Sequence, residues 1–287
     1  MKISAQDLTV AALQTDLFWE REDKNIDAIQ DDMNALRAAV DLIVLPEMWA
    51  TGFSMRPQLV AMEWRREWSK NVDKWPAPLQ AMLRWSQQHQ AAVTGSLACK
   101  LLDHDQFVNR CFFVTPEKTL KWYDKRHLFS FAGENQVYTS GMETTTVDWR
   151  GWKLNLQVCY DLRFPVFSRN NEEEPYDIAI YVANWPQARS DAWKALLKAR
   201  AIENQCYVVG VNRVGADGNG VPHDGNSGII HPKGQSLASA ENGQKTWITT
   251  GLSAQELMDF REKFPVLLHI LMMHKDRQRK MLVKLQV

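Results

Sequence analysis

A thiol, a carboxylate and an ammonium each follow an apolar run in this chain, and together they suit attack on an acyl carbon. Cys159 closes the alternating run Lys153-Leu154-Asn155-Leu156-Gln157-Val158 and opens Cys159-Tyr160-Asp161-Leu162-Arg163-Phe164-Pro165. Leu154, Leu156 and Val158 share one face, so the pattern predicts a half-buried strand that ends at the cysteine. Functional side chains of open α/β sheets gather at strand C-termini, which puts the thiol within reach of a ligand. Because the thiolate is the nucleophile, it needs a base and a counter-charge. Glu47 follows Leu45-Pro46 at the end of a second buried run and is the candidate base. Lys125 lies in Tyr123-Asp124-Lys125-Arg126-His127-Leu128-Phe129, after a third strand, and is the candidate fixed positive charge. Taken singly, a glutamate or lysine past a strand reads as a solvated end and a lone cysteine as core filler. The functional reading rests on the three together.

The elements that must position these residues alternate between strand and helix. Thr9 to Gln14 reads as a strand, and Ile26, Ile29, Met33, Leu36 and Val40 recur at helical steps. Leu42 to Leu45 follows as a buried strand. Beyond a Trp-rich stretch, the spacing predicts a helix from Pro78 to His89, strands from Ala91 to Leu97 and Cys111 to Thr115, a turn at Pro116 to Thr119, and a strand from Leu120 to Tyr123. That turn implies an antiparallel pair. After Cys159 come a strand Ile178 to Val182, a helix Asp191 to Glu203 and a strand Tyr207 to Val211, a second β-α-β passage. Asp217-Gly218-Asn219-Gly220 and Pro232-Lys233-Gly234 read as turns, and Ser253 to Glu256 as a capping-box helix start. No linker or repeat interrupts the chain, so one domain is expected.

Composition narrows the partners. The chain has 287 residues, 45% hydrophobic and 24% charged, with 34 basic and 34 acidic side chains. That balance gives no global field toward nucleic acid or a membrane surface and favours a small ligand. Cys99, Cys111, Cys159 and Cys206 show no CxxC spacing, which argues against zinc and structural bridges and for a reducing compartment. The N-terminus lacks the apolar core of a signal peptide, so a cytoplasmic location is expected. The 12 tryptophans invite a sugar-binding reading, but their scatter, with Trp64, Trp68, Trp75 and Trp85 in a region read as helical, favours packing.

Leu45-Pro46-Glu47, Tyr123 to Phe129 and Val158 to Pro165, in that order, resemble the glutamate, lysine and cysteine motifs of the nitrilase (carbon-nitrogen hydrolase) superfamily. The likeness extends through Tyr181 to Pro186, Ala199 to Gln205 and Val211 to Gly215, and covers about Thr9 to Pro265. Within the superfamily the chain most resembles the bacterial omega-amidases, which hydrolyse the terminal amide of 2-oxoglutaramate and 2-oxosuccinamate. The resemblance implies an α/β fold, a four-layer α-β-β-α sandwich that forms a homodimer, and a second glutamate at Glu134. Alone, Glu134 beside Gly133 reads equally as a polar loop residue.

The implied chemistry follows from residue types. Glu47 takes the Cys159 proton and returns it to the departing ammonia; Lys125 and the Tyr160 backbone N–H face the oxyanion; Glu134 orients Lys125, the amide nitrogen or the attacking water. No metal and no organic cofactor is required: His223 and His231 are near predicted turns, and His269 and His274 fall on different helix faces. The far carboxylate of such a substrate calls for a cation, with Arg189, just after Asn184-Trp185-Pro186, the first candidate and Arg213 the second. Each also reads as a surface arginine paired with an acid. Phe53, Trp185 and Phe131 are candidate pocket walls, with packing as the plain alternative.

Residues 266–287 depart from the family. Val266 to Met273 is apolar on every helical face, and a basic stretch from His274 to Lys280 follows; the tail is expected to pack across a dimer, lie on an acidic surface or form a poorly ordered end. The domain is therefore set at residues 1–265. The alternatives are another amide, nitrile or N-carbamoyl hydrolase of the superfamily and, in a different class, a non-enzymatic carboxylate-binding or scaffolding protein.

Overall fold

The structure, a computed structural model, describes residues 6–170 and 173–269. Its first sheet takes β1 (Leu8–Gln14), β2 (Leu42–Val44), β3 (Met62–Trp64), β4 (Ala92–Leu101), β5 (Gln106–Val114) and β6 (Leu120–Asp124). The second takes β7 (Thr146–Trp149), β8 (Trp152–Val158), β9 (Ile178–Ala183) and β10 (Tyr207–Asn212). A hairpin of β11 (Val214–Ala216) and β12 (Pro222–Asp224) follows, then β13 (Gly228–Ile230) and β14 (Ser236–Ser239), which extend the second sheet, and β15 (Thr246–Leu252), which returns to the first. The orders are β15-β1-β2-β4-β5-β6, with β3 beside β4, and β14-β13-β10-β9-β8-β7. Strands β1, β2 and β4 are parallel, as are β8, β9 and β10. The ends of β2, β8 and β9 can therefore meet along one edge.

Two apolar layers separate the faces of each strand. Leu8, Val10 and Ala12 of β1 face Leu154, Leu156 and Val158 of β8 between the sheets. Ala11 and Leu13 point the other way, against Ile29 and Met33 of α1 (Glu22–Ala35). Short α2 (Pro57–Val60) follows, and α3 (Ala77–His89) covers the same outer face with Leu79, Met82 and Leu83. After the single turn α4 (Glu134–Val137), α5 (Ser190–Asn204) and α6 (Ala254–Lys263) back the second sheet with Trp193, Leu197 and Leu257. This is the α-β-β-α sandwich, in one domain. Among the described residues, no helix is long and apolar enough to cross a membrane.

Three readings need correction. Asn155 and Gln157 are buried along with their apolar neighbours, because β8 lies between β7 and β9 and is covered on both faces. The first helix stops at Ala35; Leu36 is extended, and it and Val40 are buried by the chain that turns into β2. Of the four tryptophans read as helical, only Trp85 lies on an α-helix; Trp64 is in β3, Trp68 in a 3-10 turn and Trp75 at the end of another. They do pack: Trp64 meets Trp68, Phe112 and Trp122 edge-on, and Trp85 meets Trp49. The turns at Asp217 and Pro232 join β11 to β12 and β13 to β14, and the Ser253 hydroxyl caps α6 by accepting from Glu256 N–H. Helical residues 266–269 continue past Pro265, whereas the basic stretch from His274 to Lys280 lies outside the described residues.

Candidate active site

Glu47, Lys125 and Cys159 are carried to one point by three strand ends. The turn after β2 is pinned to β4, with Leu45 N–H donating to Thr94 O at 2.8 Å and Met48 N–H to Ser96 Oγ at 2.9 Å. Lys125 leaves β6 with its N–H on Asn109 O at 2.9 Å. Cys159 is the first residue of a 3-10 turn that follows β8, and its φ of +46° lies in the left-handed region. Glu134 opens α4 after Gly133, whose own φ of +80° reverses the chain there.

The side chains of Glu47, Lys125 and Glu134 are 0% exposed. Lys125 Nζ donates to Glu47 Oε1 at 2.8 Å and to both Glu134 oxygens, at 3.0 and 2.9 Å. Asn109 Nδ2 donates to Glu47 Oε1 at 2.8 Å and Glu134 Oε1 at 3.3 Å, and Phe129 N–H to Glu134 Oε2 at 2.6 Å. Glu47 Oε2 accepts the Asn184 N–H at 2.8 Å, while Asn184 Nδ2 donates to the Glu47 carbonyl at 2.6 Å. Burial alone would lower the Lys125 pKa; Glu134 and Glu47 outweigh it and raise it above the usual lysine value. Burial raises Glu134, against the pull of Lys125. The Cys159 thiol is pushed well up, first by burial and then by the Glu47 charge. At rest Cys159 is therefore a thiol rather than a thiolate. An ammonium has three donors, and here three oxygens of two carboxylates engage it.

Cys159 opens onto a cavity of about 470 Å³, walled by Phe53, Met55, Phe129, Phe131, Tyr160 and Trp185. Asn184 and Arg189 also line it, as the sequence suggests. Arg189 lies over the rings of Phe129 and Phe131, at 5.2 and 5.4 Å. Arg213 does not line the cavity. Its guanidinium is buried against Asp16 and the carbonyls of Val214, Leu17 and Ala216, so it ties the strand after β10 to the end of β1 instead of meeting a ligand. Asn184, besides lining the cavity, holds the carboxylate of Glu47.

Several site residues escape the sequence reading. Arg163 lines the same cavity, stacked over Trp185 at 5.0 Å, and among the described residues neither it nor Arg189 meets an acidic side chain. Asn109 joins the two glutamates; its signal is a polar residue inside the run Phe107-Val108-Asn109-Arg110-Cys111-Phe112. The β11–β12 hairpin brings Asp217, Asn219, Val221 and His223 to the cavity. His223 donates through Nδ1 to Val221 O at 3.0 Å, and burial, then Arg213, lowers its pKa.

Known proteins share both sequence and architecture with this chain. An omega-amidase YafV from Yersinia enterocolitica is 43% identical over 264 residues, covering 90% of this chain and 94% of its own. A 2-oxoglutaramate amidase from Bacillus subtilis is 30% identical over 261 residues, covering 90% and 95%. A crystal structure of a CN-hydrolase superfamily protein from Xanthomonas campestris, with an arsenic adduct in its active site, superposes with a TM-score of 0.82 at 38% identity, covering 92% of this chain and 97% of that one. The carbon-nitrogen hydrolase family model spans residues 9–262, which takes in every strand except the first residue of β1, and nearly all of α6. By sequence, by fold and by the extent of both matches, the chain belongs to the carbon-nitrogen hydrolase family.

Proposed function

We propose that the protein is an omega-amidase that converts small 2-oxo acid amides, 2-oxoglutaramate and 2-oxosuccinamate, into ammonia and the 2-oxo dicarboxylic acid through a thioester on Cys159. One observation carries this reading: Cys159, beside the buried Glu47–Lys125–Glu134 cluster, lines a cavity that also holds two arginines free of acidic partners among the described residues. Amide chemistry belongs at one end and a carboxylate at the other. The names of the Yersinia and Bacillus relatives support the same substrate class.

The steps follow from what each group can hold. As the sulfur attacks the amide carbon, its proton passes to Glu47, and the carbonyl oxygen becomes an oxyanion facing Lys125 Nζ and the Tyr160 N–H. The Tyr160 N–H belongs to the first turn of a helix, where N–H groups lack intrahelical partners. Collapse of the adduct breaks the C–N bond; Glu47 gives its proton to the leaving nitrogen and ammonia departs. Water then gives a proton to Glu47 and attacks the thioester, and the proton returns to sulfur as the acid is released. Glu134 and Asn109 keep Lys125 and Glu47 aligned throughout.

The deciding experiment follows ammonia release from 2-oxoglutaramate, with glutamine, an aliphatic amide and a nitrile alongside, for the native chain and for Cys159→Ala. Turnover of the 2-oxo amide that disappears in the variant is the expected result, and unchanged release would sink the proposal. Cys99, Cys111, Cys159 and Cys206 are all free and buried, which supports a reducing, cytoplasmic setting as part of the same reading. A homodimer is also proposed, to be checked by sedimentation.

A further inference from the structure

Asp161 stands two residues past the nucleophile, fully buried and outside the steps just described. Its carboxylate gathers four donors. Oδ2 accepts the Val158 N–H and the Tyr123 hydroxyl, each at 2.9 Å; Oδ1 accepts the His127 N–H at 2.9 Å and His127 Nδ1–H at 2.8 Å. Val158 is the residue before Cys159, and Tyr123 and His127 flank Lys125 by two residues on either side. One side chain thus joins the segment that carries the nucleophile to the segment that carries the ammonium.

The surroundings are built to keep that junction. Tyr123 also accepts the Arg126 N–H at 3.1 Å, and burial, followed by the Asp161 charge, raises its pKa, so it remains a donor. The His127 ring stacks on Phe164 at 3.8 Å and meets Phe167 edge-on at 5.2 Å. Phe164 and Phe167 belong to the chain that leaves the Cys159 turn, so the same two segments are also joined through rings. The turn itself needs such a hold, because Cys159, with a φ of +46°, occupies a left-handed backbone region that is unfavourable for a non-glycine residue.

We propose that Asp161 is a positioning residue that fixes the Cys159 turn and the Lys125 segment in one register, so that sulfur and ammonium address the same carbonyl. It touches no substrate; it acts through Val158, Tyr123 and His127. The inference rests on Cys159 as nucleophile and Lys125 as oxyanion partner.

Asp161→Asn keeps the shape but turns an NH2 toward groups that are themselves donors, and Tyr123→Phe removes a single donor with the ring retained. In the folded variants kcat should fall, by about a hundredfold for Asp161→Asn, the scale expected of a misplacement near 1 Å. KM should change less than kcat, since Arg189, Trp185 and the β11–β12 hairpin lie on segments that Asp161 does not hold. The double variant should be no slower than Asp161→Asn alone, because both cut one linkage. Alkylation of Cys159 by iodoacetamide, followed against pH, reads the nucleophile without any amide substrate and should also slow in both variants. It separates failure of the clamp from failure of the substrate assignment: a native chain inactive on every amide would leave this arm to decide. Folded variants whose alkylation and kcat stay within threefold of native, or losses that only track the unfolded fraction, would overturn the proposal. If Asp161→Asn does not fold, Tyr123→Phe decides alone.

Discussion

Arg163 and Arg189 line the cavity onto which Cys159 opens, each over an aromatic ring. A guanidinium over an aromatic ring keeps its in-plane donors free, and a carboxylate bound by them gains a charge-assisted pair of about 1.5–3 kcal/mol. Alanine at the arginine that holds the far carboxylate should therefore raise KM for 2-oxoglutaramate by roughly 10- to 100-fold, with kcat nearly kept and with no change for an aliphatic amide that lacks a carboxylate. Steady-state kinetics of Arg163→Ala and Arg189→Ala assign the role: the variant whose penalty vanishes with the uncharged amide marks the anchor. Equal KM values for both variants and the native chain would mean that neither arginine meets the substrate. Nearer the chemistry, the charge order is two carboxylates around one ammonium, which keeps Lys125 protonated.

At the scale of elements, the β11–β12 hairpin forms one wall of the cavity and packs at its tip against Trp19. A Cβ on Gly218 would come within 2.3 Å of the Trp19 ring. Gly218→Ala should push the tip off Trp19 and displace Asp217 and Asn219 from the cavity, raising KM severalfold while leaving Cys159 alkylation unchanged; parallel kinetics and alkylation test this. The hairpin also shows where sequence stops informing. Its turn is legible in Asp217-Gly218-Asn219-Gly220, but its docking depends on Trp19, about two hundred residues away, and on the Arg213–Asp16 pair, which no local period encodes. The same limit hid the roles of Arg213 and Asn109. An arginine after a strand reads identically whether it meets a ligand or a buried aspartate, and a single asparagine in a strand does not reveal that two glutamates converge on it. Glu47, Lys125 and Cys159 were legible only as a set: each alone reads as a solvated strand end or core filler, whereas the three motifs in order are those of the superfamily. The strand that leads to Cys159 was misread as half-buried for a related reason: alternation records residue type, whereas burial on both faces comes from neighbouring strands.

For the whole molecule, the buried thiols set a dependence on pH. Burial raises all four cysteines: Cys111 and Cys206 to about 12, Cys99 beyond that, and Cys159 well above its ordinary value. In the unfolded chain they ionise near about 8.5. Above that pH the unfolded state binds fewer protons than the folded one, so stability falls as pH rises, by about 1.4 kcal/mol per pH unit for each thiol until its folded value is reached. Urea unfolding at pH 7, 8.5 and 9.5 should show midpoints that hold between the first two and then drop; a flat profile would mean the thiols are solvated in the folded state. Cys159 differs from the other three in its backbone. Glycine adopts a φ of +46° freely, whereas cysteine does not, so Cys159→Gly should be inactive yet melt at or above the native temperature, while Cys159→Ala keeps the Cβ and with it the cost. Thermal denaturation of the two inactive variants side by side measures the difference. The native protein then stands below the stability its own backbone would allow, and a lineage released from the need for this reaction would have a downhill path, one that begins by exchanging the nucleophile for glycine.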